Sequence, residues 1–401
     1  MPASRARLGV IFLTVFIDLA GFGLILPILP FYAQDFGAAG LGFGALIGVF
    51  SIMQFVATVL LGRLSDRVGR RPILLVSMLI GAMGYVMFAL AGSYAALFTA
   101  RAIAGFAGGN ISVAQAYIAD ITSPGERSRG MGLVGAAFGL GFIVGPAIGG
   151  VAGHYGGPLA VGFVAAALNL INFTLAWFIL AESLPHEHRA ARPLIDQEHL
   201  IRGLRDPLIR PAFLLFGLVP FAFSGYIVAL PLFAERAFGW GTRELAWFFT
   251  TVGVVAATVQ GYLFGKIQRR TGDRPLIIVG IFAMVVGIAA IPFVHRGPLI
   301  FPWVILLAFG NSLGAPAITG LVSVLAGATE QGAMLGAAQS LSALGRFSGP
   351  ALFGWLFDRL GPAAAFLGAA GVMLVAWMVA TRTRVPDTVT DERSPQGESA
   401  P

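Results

Sequence analysis

The sequence predicts an all-α membrane protein of twelve transmembrane helices arranged as two related six-helix bundles. Three observations carry this expectation. Apolar residues fill 57% of the 401 positions and Asp, Glu, Lys and Arg only 11%. Twelve stretches are long and apolar enough to cross a bilayer, and motifs of the first half recur about 203 residues later in the second. A soluble domain carries roughly 25% charged residues, so lipid rather than water is the main solvent of this chain.

Crossing about 30 Å of hydrocarbon takes ~20 apolar residues of helix, because lipid offers backbone N–H and C=O groups no partner and a helix satisfies them internally. The spans fall near 8–32, 42–61, 73–92, 95–119, 130–153 and 158–181 in the first half, and near 211–234, 244–264, 275–295, 298–325, 331–357 and 363–381 in the second. Residues 1–181 thus form one six-helix half and 208–382 the other. Residues 182–207 read as a solvated cytoplasmic linker, and 383–401 as a disordered cytoplasmic tail. The first apolar run follows MPASRAR with no small-residue cleavage site after it, so it reads as a span rather than a removed signal peptide.

Short cytoplasmic loops retain positive charge. Twenty of the 26 Lys and Arg residues fall on the side that holds both termini, which predicts a multi-pass protein of the cell (inner) membrane with N- and C-termini in the cytoplasm. The sequence pI of about 10.3 is therefore a topology signal, and the scattered basic residues do not suggest nucleic-acid binding. Cysteine is absent, which excludes disulfides, thiolate metal sites and Cys nucleophiles.

The internal repeat is clearest in two loops. Gly62-Arg63-Leu64-Ser65-Asp66-Arg67-Val68-Gly69-Arg70-Arg71-Pro72 matches Gly265-Lys266-Ile267-Gln268-Arg269-Arg270-Thr271-Gly272-Asp273-Arg274-Pro275 at five of eleven positions. Gly145-Pro146 in span 5 recurs as Gly349-Pro350 in span 11, and Glu126 and Glu330 precede them at the same offset. Duplicated halves of this kind place a binding site at their interface, near the bilayer midplane.

These motifs resemble those of the major facilitator superfamily over essentially the whole chain, within its twelve-span drug/H⁺ antiporters. The loop around Gly62, Asp66, Arg67, Gly69 and Arg70, together with Asp120, is similar to the family's cytoplasmic gate, in which the acid and the basic residues pair with neighbouring helix ends; a basic loop that only sets topology is the alternative. Gly145-Pro146-Ala147-Ile148-Gly149-Gly150 resembles the antiporter motif of span 5. Glycines 141, 145, 149 and 153 recur every fourth residue there, a stripe that lets another helix approach closely and is expected at the interface of the halves. The segment Asp18 to Pro27, the Ala119-Asp120 end of span 4 and Glu330-Gln331-Gly332-Ala333 look most like the tetracycline/H⁺ exporter branch. Those exporters also use acids in spans 3 and 9 and a histidine in span 8. This chain has Gly84 near the first place and neither an acid nor a histidine at depth in the other two, which argues against a metal-chelated tetracycline.

Of 19 acids only Asp18 sits deep within a span. A carboxylate in hydrocarbon costs at least ~2.5–3.5 kcal/mol on insertion scales, so Asp18 must face a cavity or a partner. It can serve as a proton carrier, or it can make a structural hydrogen bond. Arg101, in a stretch that resembles the family's span-4 arginine motif, keeps its charge in a protein. It is expected to compensate Asp18, or else to anchor span 4. Gln115 lies fourteen residues further on, close to four turns and so on the same face. In span 11, Gln339, Ser342 and Arg346 are spaced i, i+3, i+7 and form one polar stripe. Arg346 either selects an anionic substrate or snorkels outward. Gln54, Asn169, Asn172, Tyr226, Gln260 and Asn311 are further polar groups in apolar spans. Gln54, Tyr226, Gln260 and Asn311 join Gln115, Gln339 and Arg346 as candidate cavity residues.

Gly310-Asn311-Ser312-Leu313-Gly314 and Gly130-Met131-Gly132-Leu133-Val134-Gly135 match nucleophile-elbow and dinucleotide patterns, but both lie within spans and lack the required strand–turn–helix context. No Walker A sequence is present. His186 and His188, in the linker, read as solvated rather than metal-binding. No enzyme, cofactor, metal site or catalytic residue is expected.

The resemblance implies a monomeric, proton-coupled secondary active transporter that exports amphipathic small molecules by alternating access, with protons, a small-molecule substrate and the lipid bilayer as its partners. Two other readings stay open: a facilitator or symporter of a sugar, organic acid or lipid, and a receptor that transports nothing.

Overall fold

The computed structural model describes residues 2–122, 124–184, 197–326 and 331–383. Its helices are α1 (Pro2–Ile25), α2 (Leu29–Asp35), α3 (Gly40–Val68), α4 (Arg70–Ala89), α5 (Tyr94–Ala107), α6 (Ile111–Ile121), α7 (Pro124–Ile179), α8 (Gln197–Arg205), α9 (Arg210–Phe238), α10 (Thr242–Thr258), α11 (Phe264–Thr271), α12 (Asp273–Ala290), α13 (Phe301–Leu325), α14 (Gln331–Leu360) and α15 (Pro362–Thr381). No strand occurs among the described residues.

Among those residues nine helical stretches are long and apolar enough to cross a membrane. The other three spans are explained by local backbone. The long α7 is two spans run together, broken where Gly157 takes φ 60°. Span 4 is interrupted by a 3-10 turn at Gly108–Asn110. The twelfth is α14, diluted by its polar stripe. Span 8 carries a π turn at Val259–Leu263 between α10 and α11. Within the expected linker, residues 197–205 form α8, whose Gly203 is pressed against the ring of Phe213. The expected tail from 384 onward, His186 and His188, and Glu330 lie outside the described residues.

The repeat seen in the loops is also a repeat of backbone shape. All six described positive-φ glycines pair across the halves: Gly37 with Gly239, Gly69 with Gly272, and Gly157 with Gly361, at offsets of 202, 203 and 204. Gly69 (φ 117°) and Gly272 (φ 75°) explain why both basic loops keep glycine there, since an L side chain is strained in that region. Packing repeats too. Gly145 lies against Ala20 and Gly23 of span 1, and its counterpart Gly349 lies against Phe221 and Ser224 of span 7.

The halves meet chiefly along α3 with α14 and α7 with α10. Gly48 abuts the backbone carbonyl of Phe347, and Gly253 abuts that of Phe142, the same contact made twice about a pseudo-twofold axis. At the end away from the basic loops, Gly40 and Gly44 press on Gly354 and Pro350, Gly150 presses on Ala246, and Gln34 donates to Glu235 at 2.6 Å. Toward the basic-loop end, Gly135, Gly261, Gly265 and Gly336 have nothing within 4 Å of an added methyl. Among the described residues, then, the halves are closed at one end and apart toward the other.

One expectation is corrected here. The stripe of Gly141, Gly145 and Gly149 packs on Leu19, Ala20, Gly23 and Leu24 of α1, inside its own half, rather than on the other half. A four-residue repeat drifts about 40° per step on a helix of 3.6 residues per turn, so the stripe rotates as it climbs. By Gly153 it touches both Ile28 of its own half and Thr242 of the second half. The interface contact of the motif is made by Gly150 instead.

Candidate functional site

A cavity of about 520 Å³ lies between the closed end and the basic-loop end. Gln54 and Thr58 follow Gly48 along α3, and Gln339 precedes Phe347 along α14, which places the cavity on the basic-loop side of the closure. Its wall is uneven. The first half contributes Asp18, Phe22, Phe50, Gln54, Phe55, Tyr85, Gln115, Phe142 and Asn169 among others, whereas the second contributes only Gln339 and Arg346.

Asp18 reaches this wall because α1 is held tightly to α7 by the glycines described above, which fixes its rotation. One carboxyl oxygen, Oδ2, is buried with no hydrogen-bond partner. Asn110, from the 3-10 turn of span 4, lies beside it, but neither side-chain atom of Asn110 finds a partner in hydrogen-bonding geometry. Buried polar groups left open in this way are places where water or a moving proton can be accommodated.

Arg101 is 1% exposed and does not line the cavity. Its guanidinium stands over the rings of Phe50 at 4.4 Å and Phe22 at 5.7 Å, and those rings form the cavity wall. Nε donates weakly to the Leu46 carbonyl at 3.5 Å, and both terminal nitrogens lack partners. The span-4 charge is therefore held behind the cavity wall by two aromatic faces, whose quadrupoles attract a cation. Span 4 comes this close because Gly105 lies directly on the backbone of Phe50.

Across the cavity, Arg346 donates to Ser342 Oγ at 2.5 Å, which ties together two of the three polar residues of the α14 stripe. Gln54 donates to the Gly108 carbonyl at 3.4 Å. The structure thus brings Asp18, Gln54, Gln115, Gln339 and Arg346 to one cavity. Three other candidates are elsewhere. Tyr226 is buried among Phe223 and Phe248 with an unpartnered hydroxyl. Gln260 is exposed on the π turn, and Asn311 is half-buried in α13; neither lines the cavity. Tyr85 was missed by sequence reasoning. It lines the cavity with its ring against Gly21, three residues from Asp18. The signal was a tyrosine beside Gly84 in a span whose one other polar side chain is Ser77, which a reading confined to charges and amides passes over.

The loop cluster at the basic end is built inside the first half. Arg70 binds Asp66 at 2.6 Å and Asp120 at 3.2 Å, and donates to Ser65 Oγ at 2.6 Å. Ser183 donates to Asp120 at 2.9 Å, and Glu182 accepts the backbone N–H of Arg70 at 2.8 Å at the start of α4. Arg67 is exposed, with no ion pair among the described residues. Gly62 lies 3.4 Å, as an added Cβ, from Ser112 Oγ, so α3 and α6 meet closely there. None of these contacts reaches the second half.

Two pseudo-symmetric six-helix bundles that enclose a cavity of mixed polar and apolar lining, closed at one end, define a membrane transporter. The sequence profile of the Major Facilitator Superfamily matches residues 11–350 and 238–401, and the chain belongs to that family. It is 32% identical over 356 residues to the tetracycline resistance protein, class B, of Escherichia coli, covering 86% of each chain. It is 32% identical over 368 residues to multidrug resistance protein 2 of Bacillus subtilis, covering 90% of this chain and 91% of that one. Among solved structures, the human organic anion transporter MFSD10 (TETRAN) superposes with a TM-score of 0.72 at 26% identity, over 95% of this chain and 100% of that one. A bacterial homolog of the human lysosomal transporter Spinster, in an inward-facing and unoccupied conformation, superposes with a TM-score of 0.76 at 16% identity, over 95% of each chain, a likeness of fold alone. The chain is a major facilitator superfamily transporter, not an enzyme, with tetracycline- and multidrug-resistance relatives.

Proposed function

We propose that the protein exports amphipathic small molecules across the cell (inner) membrane as a monomer, in exchange for protons moving inward, by alternating access. The observation that carries this reading is Asp18, the one carboxyl group on the cavity wall among the described residues, with an open oxygen and a fixed charge, Arg101, behind the adjacent rings. A substrate and a proton that compete for one acid cannot both occupy the carrier, which is the condition for exchange. Phe22, Phe50, Phe55 and Phe142 supply apolar surface for the rest of the substrate.

With the basic loops in the cytoplasm, the closed end faces outward and the cavity faces inward. In that state the cluster around Asp66, Arg70 and Asp120 is confined to the first half. Outward opening then requires it to bind across to the second half while the contacts at Gly40, Gly44 and Gly150 part.

Arg346 favours a second reading. A fixed positive charge on the cavity wall suits an organic anion, and MFSD10 is named as a transporter of that class. An anion at Arg346 binds better when Asp18 is protonated, so this reading predicts proton and substrate moving together. Everted vesicles or proteoliposomes with an imposed pH gradient separate the two. Exchange predicts that substrate addition drives protons out of the loaded space and that Asp18→Asn abolishes gradient-driven accumulation while leaving substrate binding. Accumulation by Asp18→Asn at the normal rate overturns the proton role, and co-directional movement selects the second reading.

A further inference from the structure

Outside the central cavity the structure holds a second cleft of about 360 Å³, at the closed end, between α7 of one half and α10 of the other. Ala147, Gly150, Val151 and His154 line it at i, i+3, i+4 and i+7, and Arg243, Ala246, Trp247 and Thr250 line it with the same spacing. The cleft is therefore a groove between two facing helix rows. It opens sideways: Val151, Tyr155 and Trp247 are exposed, Trp247 by 65%, on a surface that a bilayer surrounds.

The groove is graded along its length. His154, Tyr155 and Arg243 sit at the outer ends of their helices, next to Gly157 and Gly241. Ala147 and Thr250 lie seven residues deeper, about 10 Å at 1.5 Å per residue, between apolar walls. Among the described residues neither Arg243 nor His154 has a hydrogen-bond or ion-pair partner. Glu244, the acid beside Arg243, is turned onto its own helix end, where it accepts from the Gly241 N–H at 2.9 Å. Thr250 Oγ1 is buried at the deep end with no partner.

We infer that this groove binds a phospholipid with an anionic headgroup from the leaflet at the closed end. Its phosphate meets Arg243 and His154, its ester region lies between Trp247 and Thr250, and an acyl chain continues past Ala147. The polarity gradient matches an amphiphile that stands parallel to the helices, and the unpaired Arg243 gives it preference for net negative charge. Because the two walls belong to different halves and Gly150 touches Ala246 at the floor, a bound lipid bridges the contact that must part for outward opening. It therefore favours the closed end.

Trp247 makes the test direct. The protein and its Trp247→Phe variant are reconstituted in phosphatidylcholine vesicles containing 10% of either brominated phosphatidylglycerol or brominated phosphatidylcholine, and the Trp247 fluorescence is taken as their difference. The expected result is at least threefold stronger quenching by the brominated phosphatidylglycerol, lost in Arg243→Gln with His154→Gln. Equal quenching by the two lipids, or a preference unchanged in the double variant, overturns the inference. Far-UV circular dichroism and elution volume confirm that the double variant is folded, and displacement of the brominated lipid by transported drugs would also overturn it, assigning the groove to substrate.

Discussion

Asp358, near the end of α14, accepts the backbone N–H groups of Gly40 at 2.9 Å and Leu41 at 2.8 Å, so a carboxylate of one half caps the first turn of α3 in the other. The two residues are 318 positions apart in the chain, and the backbones of Gly40 and Gly354 touch one turn away. A carboxylate at a helix N-terminus satisfies donors that otherwise have no partner and sits favourably in the helix dipole.

Losing such a cap costs ~1 kcal/mol, which is a factor of about five in an equilibrium. Asp358→Ala should therefore shift the protein toward an open outer end. The chain contains no cysteine, so a single cysteine placed at Ala39 reports on this end without background. Its labelling by a membrane-impermeant maleimide should rise about fivefold in Asp358→Ala. Unchanged labelling would show that the cap does not hold the halves together.

Arg101→Lys keeps the charge but replaces a planar guanidinium, stacked on Phe50, with a strongly hydrated ammonium. A desolvated cation–π contact contributes up to ~2 kcal/mol. Gradient-driven transport should fall tenfold or more while the variant still elutes as folded protein, and full activity in Arg101→Lys would mean that charge alone suffices.

Arg346→Gln should weaken anionic competitors of transport by about tenfold and leave cationic ones within twofold, because only the former lose a charged partner at the cavity wall. Inhibition constants for a matched acid and amine pair measure this. Equal effects on both would place Arg346 in a structural role with Ser342.

Gly149→Val and Gly261→Ala should separate packing from composition. An added Cβ at Gly149 overlaps the backbone of Leu24, whereas at Gly261 nothing lies within 4 Å. Overpacking costs typically ~1–3 kcal/mol, so Gly149→Val should lower the thermal midpoint in detergent by several degrees. Gly261→Ala should hold or raise it, since alanine is the better helix former.

Gln260→Ala should leave transport within twofold of the unmodified protein, since Gln260 is exposed and away from the cavity. Gln54→Ala, which removes a cavity amide, should not. Dose-response curves for growth in the presence of a transported drug give both values.

Much of the fold was legible because lipid leaves few choices. Spans must be helical and about as long as the hydrocarbon is thick, basic loops stay on one side, and a duplicated gene leaves paired motifs, here Gly69 with Gly272 and Pro146 with Pro350. The isolation of Asp18 was legible for the same reason, since a lone acid in an apolar span is conspicuous. The stripe of Gln339, Ser342 and Arg346 was legible from helical spacing alone.

Partnership was decided only in three dimensions. Spacing tells which residues share a face of one helix, but not which neighbour that face meets, because helix rotation is set by the close contacts of several helices at once. Thus Gly141, Gly145 and Gly149 grip α1 rather than the other half, and Tyr226, Gln260 and Asn311, as polar as Gln54 and Gln115, end outside the cavity. Tyr85 enters it unannounced, and Arg101 stands behind Phe22 and Phe50. The sequence by itself determined the spans, the repeat and the single deep acid. The tertiary structure decided that this acid shares one cavity with Arg346, since only packed helices bring residues 328 positions apart to a common wall.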